Sequence, residues 1–404
     1  MSTTGAQAPR GPLEGIRVLD VGTMIAGPVA ATLLGDFGAE VIKVEQPKGG
    51  DPIRSIGPFA SGESLWWNVE GRNKKSVTLD LHLPEGQALF RKLVQSADVV
   101  VENFKPGTMD KWNVGYAALR QANPKVVMLS VSGFGQTGPY AERRGYDRIA
   151  LAFAGLLNMT GFPDRAPVRP GTAVADYQSA LFGAFATMMA LYHRDARGGE
   201  GQHIDVSLYE TVFRFTDIMV TAYDKIGMRR ERQGNLHFAA APGDHFETQE
   251  GRYVVLTVSS NGMFERLCGA MGRPELAKDP RFAIHDARWK NIVEINGLVA
   301  DWVKSRPGRE ICETLEEHGL AYSMVHSVED IMDNEHYRAR ENIITVDNPK
   351  TGPLKMQGVL PRMCGTPGPV PKAAPVLGDS TDAVFGALGL DAAELARLRA
   401  AKVI

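Results

Sequence analysis

The sequence contains little cysteine, little net charge and no long apolar run. Three of its 404 residues are cysteines, Cys268, Cys312 and Cys364. Three widely spaced thiols exclude a disulfide framework or a cysteine metal cluster, and they are typical of a reducing compartment. The formal net charge of -2 provides no broad electrostatic attraction to nucleic acid or to an anionic membrane.

The absence of membrane and export signals favours a cytoplasmic protein. No apolar run is long enough to span a bilayer, and the N-terminal stretch MSTTGAQAPRGP has no apolar core like that of a signal peptide. We therefore expect a protein that binds neither membrane nor nucleic acid. Any anionic ligand must be held by a few local basic groups. The length and the hydrophobic fraction of 44% predict two domains and a large core.

Apolar, β-branched segments alternate with helical patterns in the first third of the chain. A strand IRVLDV, a helix PVAATLLGDF and a strand EVIKVE come first, and the strands KKSVTLDL, ADVVVENF and KVVMLSVSGF follow. This order predicts an α/β fold with a doubly wound, mostly parallel, Rossmann-like sheet. Ligands bind such sheets beyond the carboxyl ends of the strands. The loops expected to carry the site are 22–27, 46–54, 103–107 and 132–148.

The pattern changes after the basic segment 229–232. HFETQEGRYVVLTVSS predicts a β-hairpin that turns at 249–251. Short helices are predicted at 261–271, 288–303 and 307–318. The proline-rich segment 361–375 is expected to return as extended chain. The predicted domains are a large α/β domain, 1–225 plus 345–404, and a smaller α+β domain, 226–344.

The turn after the first strand reads GTMIAG, and it bears on a rival interpretation as an NAD-dependent dehydrogenase. Gly22 and Gly27 flank the turn, and Glu45 ends the second strand, where such enzymes place a ribose-binding acid. However, the second glycine of G-x-G-x-x-G, which allows close approach of the pyrophosphate, is missing. Pro28 also excludes a G-x-x-x-x-G-K-[ST] phosphate loop. These mismatches count against NAD and favour Glu45 as an ordinary strand-end acid.

One acid, Asp176, separates a glycine- and proline-marked loop from a long helical pattern in RPGTAVADYQSALFGAFATMMALYHR, residues 169–194. A carboxylate there is expected to accept hydrogen bonds from the first helical turn and to stay ionised near the helix dipole. Those properties suit a helix cap or a carboxylate nucleophile. This stretch by itself favours the cap. The remaining motifs shift the balance towards the nucleophile.

A series of motifs runs in order along the whole chain. They include LEGIRVLDVG, GAEVIKVEQPKGGDPIR, RNKKSVTLDL, ADVVVENFKPG, SGFGQTGPYA, GYDRIA, VADYQSALFGA, GGEGQHIDVSL and APVLGDST. Their number and order resemble the class III coenzyme A transferases, the family of formyl-CoA transferase and carnitine CoA-transferase. The resemblance implies a large Rossmann-like domain, a smaller domain and two subunits that interlock as a homodimer.

The resemblance also implies that Asp176 is the catalytic nucleophile. Its carboxylate would attack an acyl-CoA thioester, giving an acyl–aspartyl anhydride and free CoA thiolate. The thiolate would then form an aspartyl-CoA thioester, which a free carboxylic acid attacks on the way to the new acyl-CoA. The implied substrates are an acyl-CoA and a free carboxylic acid. No metal and no prosthetic group are expected.

Coenzyme A contacts are implied at positions that match the family. They are Met24, Ile25 and Ala26 in the first turn, Leu79, Asn103, Phe104 and Lys105 at strand ends, and Lys111, Arg144 and Tyr146. Some members carry an arginine where this chain has Gln46, so phosphate contact there is expected to shift to Lys48 or Arg54. Leu79 and Phe104 are alternatively core residues, and Lys111 and Arg144 are alternatively surface charges.

Two departures from related enzymes bear on the substrate. Formyl-CoA transferases carry a mobile glycine-rich loop where this chain reads QGNLHFAAAPGDHF, which argues against oxalate as acceptor. We expect a short dicarboxylate such as succinate, with Asn235 and His237 as candidates for the acceptor pocket, although a lone histidine is more often structural. Related 2-methylacyl-CoA racemases have a histidine where Tyr146 stands. A tyrosine, with an ordinary pKa of about 10, is a poor α-carbon base. This argues against racemase activity, which is kept as the alternative function.

Overall fold

The computed structural model describes residues 11–368 and 371–404, which form two compact units. The larger unit contains the described residues up to Leu156, Arg169–Thr221 and Arg338–Ile404, and the smaller contains Leu157–Val168 and Ala222–Tyr337. Most of the polar N-terminal tail, and Pro369 and Val370 of the proline-rich return, lie outside the described residues. Within the described residues, no helix has the length and apolar character needed to cross a membrane.

A six-stranded parallel sheet organises the larger unit. The strands of this part of the chain are β1 Arg17–Asp20, β2 Glu40–Glu45, β3 Phe59–Ala60, β4 Glu63–Ser64, β5 Lys74–Thr78, β6 Val99–Glu102, β7 Val127–Ser132 and β8 His203–Ser207. The sheet order is β5-β2-β1-β6-β7-β8, and β3 pairs with β4 separately. Counted within the sheet, this is the doubly wound order 3-2-1-4-5-6. The predicted mostly parallel sheet is confirmed.

The helices of this part of the chain lie between and after these strands. They are α1 Ala26–Asp36, α2 Leu65–Glu70, α3 Pro84–Val94, α4 Thr108–Lys111, α5 Tyr116–Ala122, α6 Asp147–Phe153, α7 Leu156–Met159, α8 Val174–Ala196, α9 Leu208–Arg214 and α10 Met219–Ile226. The long helix α8 packs against α1 and β7. Strand order reverses between β1 and β6, so the turns after these two strands flank the crevice where ligands bind in such sheets.

A three-stranded antiparallel sheet forms the base of the smaller unit. Its strands are β9 Gly243–Glu247, β10 Tyr253–Thr257 and β11 Tyr322–Met324. The helices of this region are α11 Asn261–Ala270, α12 His285–Lys290, α13 Ile292–Lys304, α14 Gly308–Glu317, α15 Val328–Asp333 and α16 Glu335–Ala339. Strands β9 and β10 form the predicted hairpin. The single helix predicted over 288–303 is wrong, because the Asn291 side chain donates to the carbonyl groups of Ala287 and Arg281 and interrupts it.

The C-terminal part of the chain returns to the larger unit. It contains the antiparallel pair β12 Ile343–Asn348 and β13 Gly352–Gln357, and the helices α17 Thr381–Gly386 and α18 Ala392–Ala400. The Thr78 N–H donates to the Thr381 hydroxyl over 3.0 Å, and the Ser380 N–H donates to the Ser76 carbonyl over 2.9 Å. These bonds occupy polar groups of the edge strand β5.

Four charged side chains meet inside the larger unit, beside the carboxyl end of β1. Lys43 Nζ lies 3.3 Å from Asp20 and 2.9 Å from Asp51, and Lys74 Nζ lies 2.9 Å from Asp20. All four residues are buried. Burial by itself lowers the pKa of Lys43, but Asp20, Asp51 and Glu45 raise that pKa above its usual value. For Lys74 burial prevails and lowers the pKa, although Asp20 opposes it.

We expect Lys43→Met to lower the free energy of unfolding by about 3–5 kcal/mol, because it leaves buried carboxylates without their shared cation. Urea denaturation followed by circular dichroism measures this change. The matched control is Lys75→Met on β5. Lys75 pairs with Glu40 at the surface, where such pairs contribute about 0–1 kcal/mol. Equal losses in the two variants would contradict the prediction.

Candidate active site

Side chains hold the turn that follows β1. The N–H groups of Gly22, Thr23 and Met24 donate to Asp20, Asn103 and Asp51 over 3.1, 2.7 and 3.0 Å. The Asn103 amide also donates back to the Thr23 carbonyl over 2.8 Å. Met24 has a φ of 66°, in the left-handed region that non-glycine residues rarely adopt without support. The turn is therefore fixed in an unusual conformation by groups from three other segments.

The next N–H groups, at the start of α1, have no such partners. Ile25 precedes the helix and supplies no side-chain cap. Among the described residues, the N–H groups of Ile25, Ala26 and Gly27 make no hydrogen bond. This end of the helix is buried. Unsatisfied amides at the positive end of a helix dipole are suited to a carboxylate, a phosphate or an oxyanion.

A cavity of about 310 Å³ lies beside this turn, at the carboxyl ends of β1, β2 and β5. It is lined by Val21, Gly22, Thr23, Lys43, Val44, Glu45, Gln46, Gly50, Asp51, Pro52, Leu79, Leu81, His82, Phe104 and Trp112. The rings of Phe104 and Trp112 pack edge to face with centroids 5.1 Å apart. An apolar, partly aromatic wall with polar groups beside it suits a heterocyclic ligand.

The structure brings two predicted contacts, Leu79 and Phe104, into this cavity. His82 and Trp112 also line it, and sequence reasoning missed both. His82 Nδ1 lies 2.7 Å from Asp80 Oδ1 and 3.1 Å from Gln46 Nε2. His82 follows the strand motif at whose carboxyl end ligands were expected, and Trp112 is next to the predicted Lys111. Both residues could therefore have been predicted as ligand contacts from their positions in the sequence.

The predicted basic contacts have different surroundings. Arg54 donates from two nitrogens to Glu45, each over 2.7 Å, and its guanidinium lies 3.8 Å from the ring centre of Trp67. Its charge is thus already compensated. The Lys105 ammonium lies 3.6 Å from the Glu142 carboxylate. The other predicted cations, Lys48, Lys111 and Arg144, have exposed side chains, and so does the predicted contact Tyr146.

Asp176 lies in the first turn of α8 without capping it. The helix begins at Val174, and Ala173 before it offers no side-chain cap. The carboxylate that binds the helix start belongs to Asp147, whose Oδ1 accepts the Ala175 N–H over 2.7 Å. The alternative in which Asp176 caps the helix does not hold, because Asp176 is the third helical residue and a capping side chain must precede the first.

The surroundings of Asp176 also change its charge. Burial and the neighbouring carboxylate of Asp147 raise the pKa of Asp176 to about 7. Asp176 is therefore only partly ionised at neutral pH, where full ionisation was expected, because desolvation and a like charge oppose the helix dipole. Within the described residues the Asp176 carboxylate accepts no hydrogen bond, and Asp147 Oδ2 is likewise buried without a donor. Two carboxylates thus meet at one helix start, and only one is held by the backbone.

Tyr177, the next residue along, connects this helix start to α1. Its hydroxyl donates to the buried Glu70 carboxylate over 2.7 Å, and the Glu70 carbonyl accepts the Thr32 hydroxyl over 2.6 Å. Burial raises the pKa of Glu70, although Tyr177 and Lys74 oppose that shift. These hydrogen bonds link Tyr177 in the first turn of α8 through Glu70 of α2 to Thr32 of α1.

The two residues predicted for an acceptor pocket make local contacts in the smaller unit. The Asn235 amide donates to Asp244 over 3.0 Å, and His237 Nδ1 accepts the Ala239 N–H over 3.2 Å. The His237 ring also stacks on Phe238 at 4.5 Å between ring centres. No cluster of three or more His, Cys, Asp or Glu side chains that could hold a metal ion occurs in the described part of the chain.

The whole chain is similar to known proteins. The family model described as CoA-transferase family III matches residues 13–381. The chain is 42% identical over 401 residues to a succinyl-CoA–D-citramalate CoA-transferase of Chloroflexus aurantiacus, covering 99% of this chain and 100% of that protein. It is 38% identical over 336 residues to a succinate–glutarate CoA-transferase of Agrobacterium fabrum, covering 81% and 84%.

A solved structure agrees with this similarity. A CAIB/BAIF family protein of Brucella suis has a TM-score of 0.83 at 34% identity, covering 94% of this chain and 100% of that chain. Both the sequence and the fold therefore match over nearly the full length. The chain belongs to CoA-transferase family III and is a CoA-transferase.

Proposed function

We propose that this enzyme transfers CoA from succinyl-CoA, or a similar thioester, to a free short dicarboxylic acid through covalent intermediates on Asp176. The choice of substrates is supported by similar proteins that are named for succinyl-CoA or succinate together with D-citramalate, L-malate, glutarate or mesaconate. The observation that carries the mechanism is Asp176 itself, a partly buried carboxylate beside Asp147 that accepts no hydrogen bond from the described residues. Three free thiols suit the reducing cytoplasm.

The first half of the reaction transfers the donor acyl group to the enzyme and then exchanges it for CoA. An Asp176 oxygen attacks the thioester carbonyl, the C–S bond breaks, and an anhydride and CoA thiolate form. The thiolate then attacks the aspartyl carbonyl of the anhydride, which releases the donor acid and leaves an aspartyl-CoA thioester. The acyl activation is conserved at each step, so no ATP is required.

The second half repeats these steps with the acceptor. A carboxylate oxygen of the acceptor attacks the aspartyl-CoA carbonyl and expels the thiolate, forming a second anhydride. The thiolate attacks the acceptor carbonyl, which yields the new acyl-CoA and regenerates Asp176. Water must be excluded throughout, because either intermediate hydrolyses.

The start of α1, where the N–H groups of Ile25, Ala26 and Gly27 are unpaired among the described residues, contributes the oxyanion donors in this proposal. Each tetrahedral intermediate carries a negative oxygen, and the unpaired amides at the start of α1 are preorganised donors for it. Asp147 acts through the helix, because it holds the Ala175 N–H one residue before the nucleophile. Its negative charge also keeps Asp176 partly protonated when no substrate is bound.

Coenzyme A itself is assigned to the cavity beside this turn. Leu79, Phe104 and Trp112 form an apolar wall for the adenine ring. Asn103, which follows β6, binds Thr23 in the turn after β1. Exposed cations hold the phosphates in this assignment, and they are Lys48, Lys105, Lys111 and Arg144. Arg54 has a supporting role, because its guanidinium already forms an ion pair with Glu45.

The racemase alternative is not favoured, since the similar proteins cited above are transferases.

The outer face of α8 supports a dimer. Leu181, Phe185 and Tyr192 recur at helical spacing and are 59%, 58% and 61% exposed, with Met188 and Met189 between them. A contiguous apolar stripe of this kind marks a protein–protein interface. A second copy of this chain is the occupant that we propose, in the interlocked arrangement that the family resemblance implies.

We expect Asp176→Asn to fold and to bind CoA but to lose transferase turnover by roughly 10⁴-fold or more, as removal of a nucleophile does. Chromatography of acyl-CoA products from succinyl-CoA with D-citramalate, L-malate or glutarate measures turnover. Because Asp147 binds the helix start, Asp176→Ala is also expected to fold normally. Asp195→Asn, an exposed change in the last turn of α8, is the control and should stay active.

The same reaction offers a direct trap. Incubation with succinyl-CoA and no acceptor should leave an aspartyl-CoA thioester or an anhydride on the peptide that contains Asp176. Hydroxylamine should then modify this one residue, and mass spectrometry identifies it. Normal turnover of Asp176→Asn, or a modified residue elsewhere, would refute the proposed nucleophile.

The rate should depend on pH through Asp176. Only the ionised carboxylate attacks, so kcat/KM for the acyl-CoA should level off above about pH 7 and fall about tenfold per pH unit below it. Asp147→Asn keeps an oxygen for the Ala175 N–H but removes the like charge that raises the pKa of Asp176. The midpoint should then move to lower pH. A midpoint that is unchanged or higher in Asp147→Asn would contradict this assignment.

The dimer should depend on the apolar stripe of α8. We expect sedimentation of the unmodified protein at micromolar concentration to give a dimer, and Leu181→Glu with Phe185→Glu to prevent it, because two charges would be buried at the interface. Val328→Glu, at an exposed valine of α15 in the smaller unit, is the control and should remain dimeric. An active monomer of the unmodified protein would refute the proposal.

A further inference from the structure

We propose that Asp51, together with Lys43, is a positioning residue for CoA transfer. In this inference the pair sets the left-handed turn at Met24 and thereby orients the unpaired amides at the start of α1 towards the reacting carbonyl. The inference rests on the proposed function in one respect, the assignment of those amides to the tetrahedral intermediates. It goes beyond that function in naming residues whose task is to hold the turn.

Asp51 binds the turn through one carboxylate oxygen and forms an ion pair with Lys43 through the other. Its Oδ1 accepts the N–H groups of Met24 and Ile53, each over 3.0 Å, and its Oδ2 lies 2.9 Å from Lys43 Nζ. Its own N–H donates to Glu45 over 2.9 Å. The residue is 2% exposed. A carboxylate held in this way has one position, so the Met24 amide that it binds has one direction.

Lys43 completes the clamp from the opposite side of the turn. Its ammonium group donates to the Gly22 carbonyl and also pairs with Asp20, which binds the Gly22 N–H. The ion pair of Lys43 and Asp51 therefore joins the peptide groups at the two ends of the turn. Between them, Asn103 binds both the N–H and the carbonyl of Thr23.

Side chains bind the N–H groups of the turn only as far as Met24, and the proposed oxyanion donors follow directly after it. Polar side chains accept a hydrogen bond from each N–H between Gly22 and Met24. No described group accepts one from the N–H groups of Ile25, Ala26 and Gly27. Met24 is the last clamped residue and has the positive φ. Loss of its acceptor should let this peptide relax, which would rotate the amides that follow it. A shift of about 1 Å in a reacting group can cost roughly 100-fold in rate.

Variants at Asp51 separate positioning from stability. Asp51→Ala removes the acceptor, and we expect kcat to fall roughly 10- to 100-fold with a smaller change in KM for the acyl-CoA. Asp51→Asn keeps an oxygen for Met24 but loses the ion pair with Lys43, so it should lose thermal stability while its kcat falls less than that of Asp51→Ala. All rates are measured well below the unfolding temperature of each variant.

The matched control is Asp36→Asn. Asp36 is buried and bonds to Arg72 over 2.5 and 3.0 Å, at the opposite end of α1 from the turn. This change should lower stability as Asp51→Asn does, and it should leave kcat unchanged. Hydrogen exchange of the peptide spanning 22–27 should accelerate at least tenfold in Asp51→Ala and remain unchanged in Asp36→Asn.

Two failures can be told apart. If the unmodified enzyme leaves no covalent adduct on Asp176, the proposed function fails, whatever the Asp51 variants do. If the unmodified enzyme is active and folded Asp51→Ala has the same kcat, the positioning role is refuted. Unchanged hydrogen exchange in Asp51→Ala would also refute it. A kcat that falls equally in Asp51→Ala and Asp36→Asn would reduce Asp51 to a structural residue.

Discussion

The mutual compensation of two buried lysines and two buried aspartates constrains the rest of the active site. A single charge at this depth would cost several kcal/mol to desolvate, and the ion pairs among the four offset that cost. They come from β1, β2, the loop after β2 and β5. The register of three strands and the shape of the turn after β1 are therefore determined together.

The same constraint explains why the enzyme can keep unsatisfied amides in its interior. Buried N–H groups without acceptors are costly, and a mobile turn would rearrange to pair them. Here the preceding peptides are already bonded to the side chains of Asp20, Asn103 and Asp51. The unfavourable groups then persist at the point where strand order reverses, which is where doubly wound sheets bind their ligands.

The centre of the sheet could be predicted because its strands are largely apolar runs. Val99, Val100 and Val101 are fully buried, as expected for a parallel strand that is covered on both faces. The details of the site depend on contacts between distant segments. In sequence Asp176 has the residue type and position of a helix cap, but the carboxylate that binds the start of α8 is that of Asp147, in α6. Arg54 looks like a free cation in sequence, and only the fold places Glu45 against it. Strand β11 has three residues and too short a pattern to recognise without its partner β10.

The four members of the ion network all lie between Asp20 and Lys74, whereas Asp176 follows much later in the chain. Proteins made on the ribosome emerge from the N-terminus, and early segments can begin to fold before later ones exist. The charged framework beside the turn can therefore begin to assemble during synthesis, before the proposed nucleophile has been made. The order of the chain thus separates the construction of the substrate site from the arrival of the reactive group.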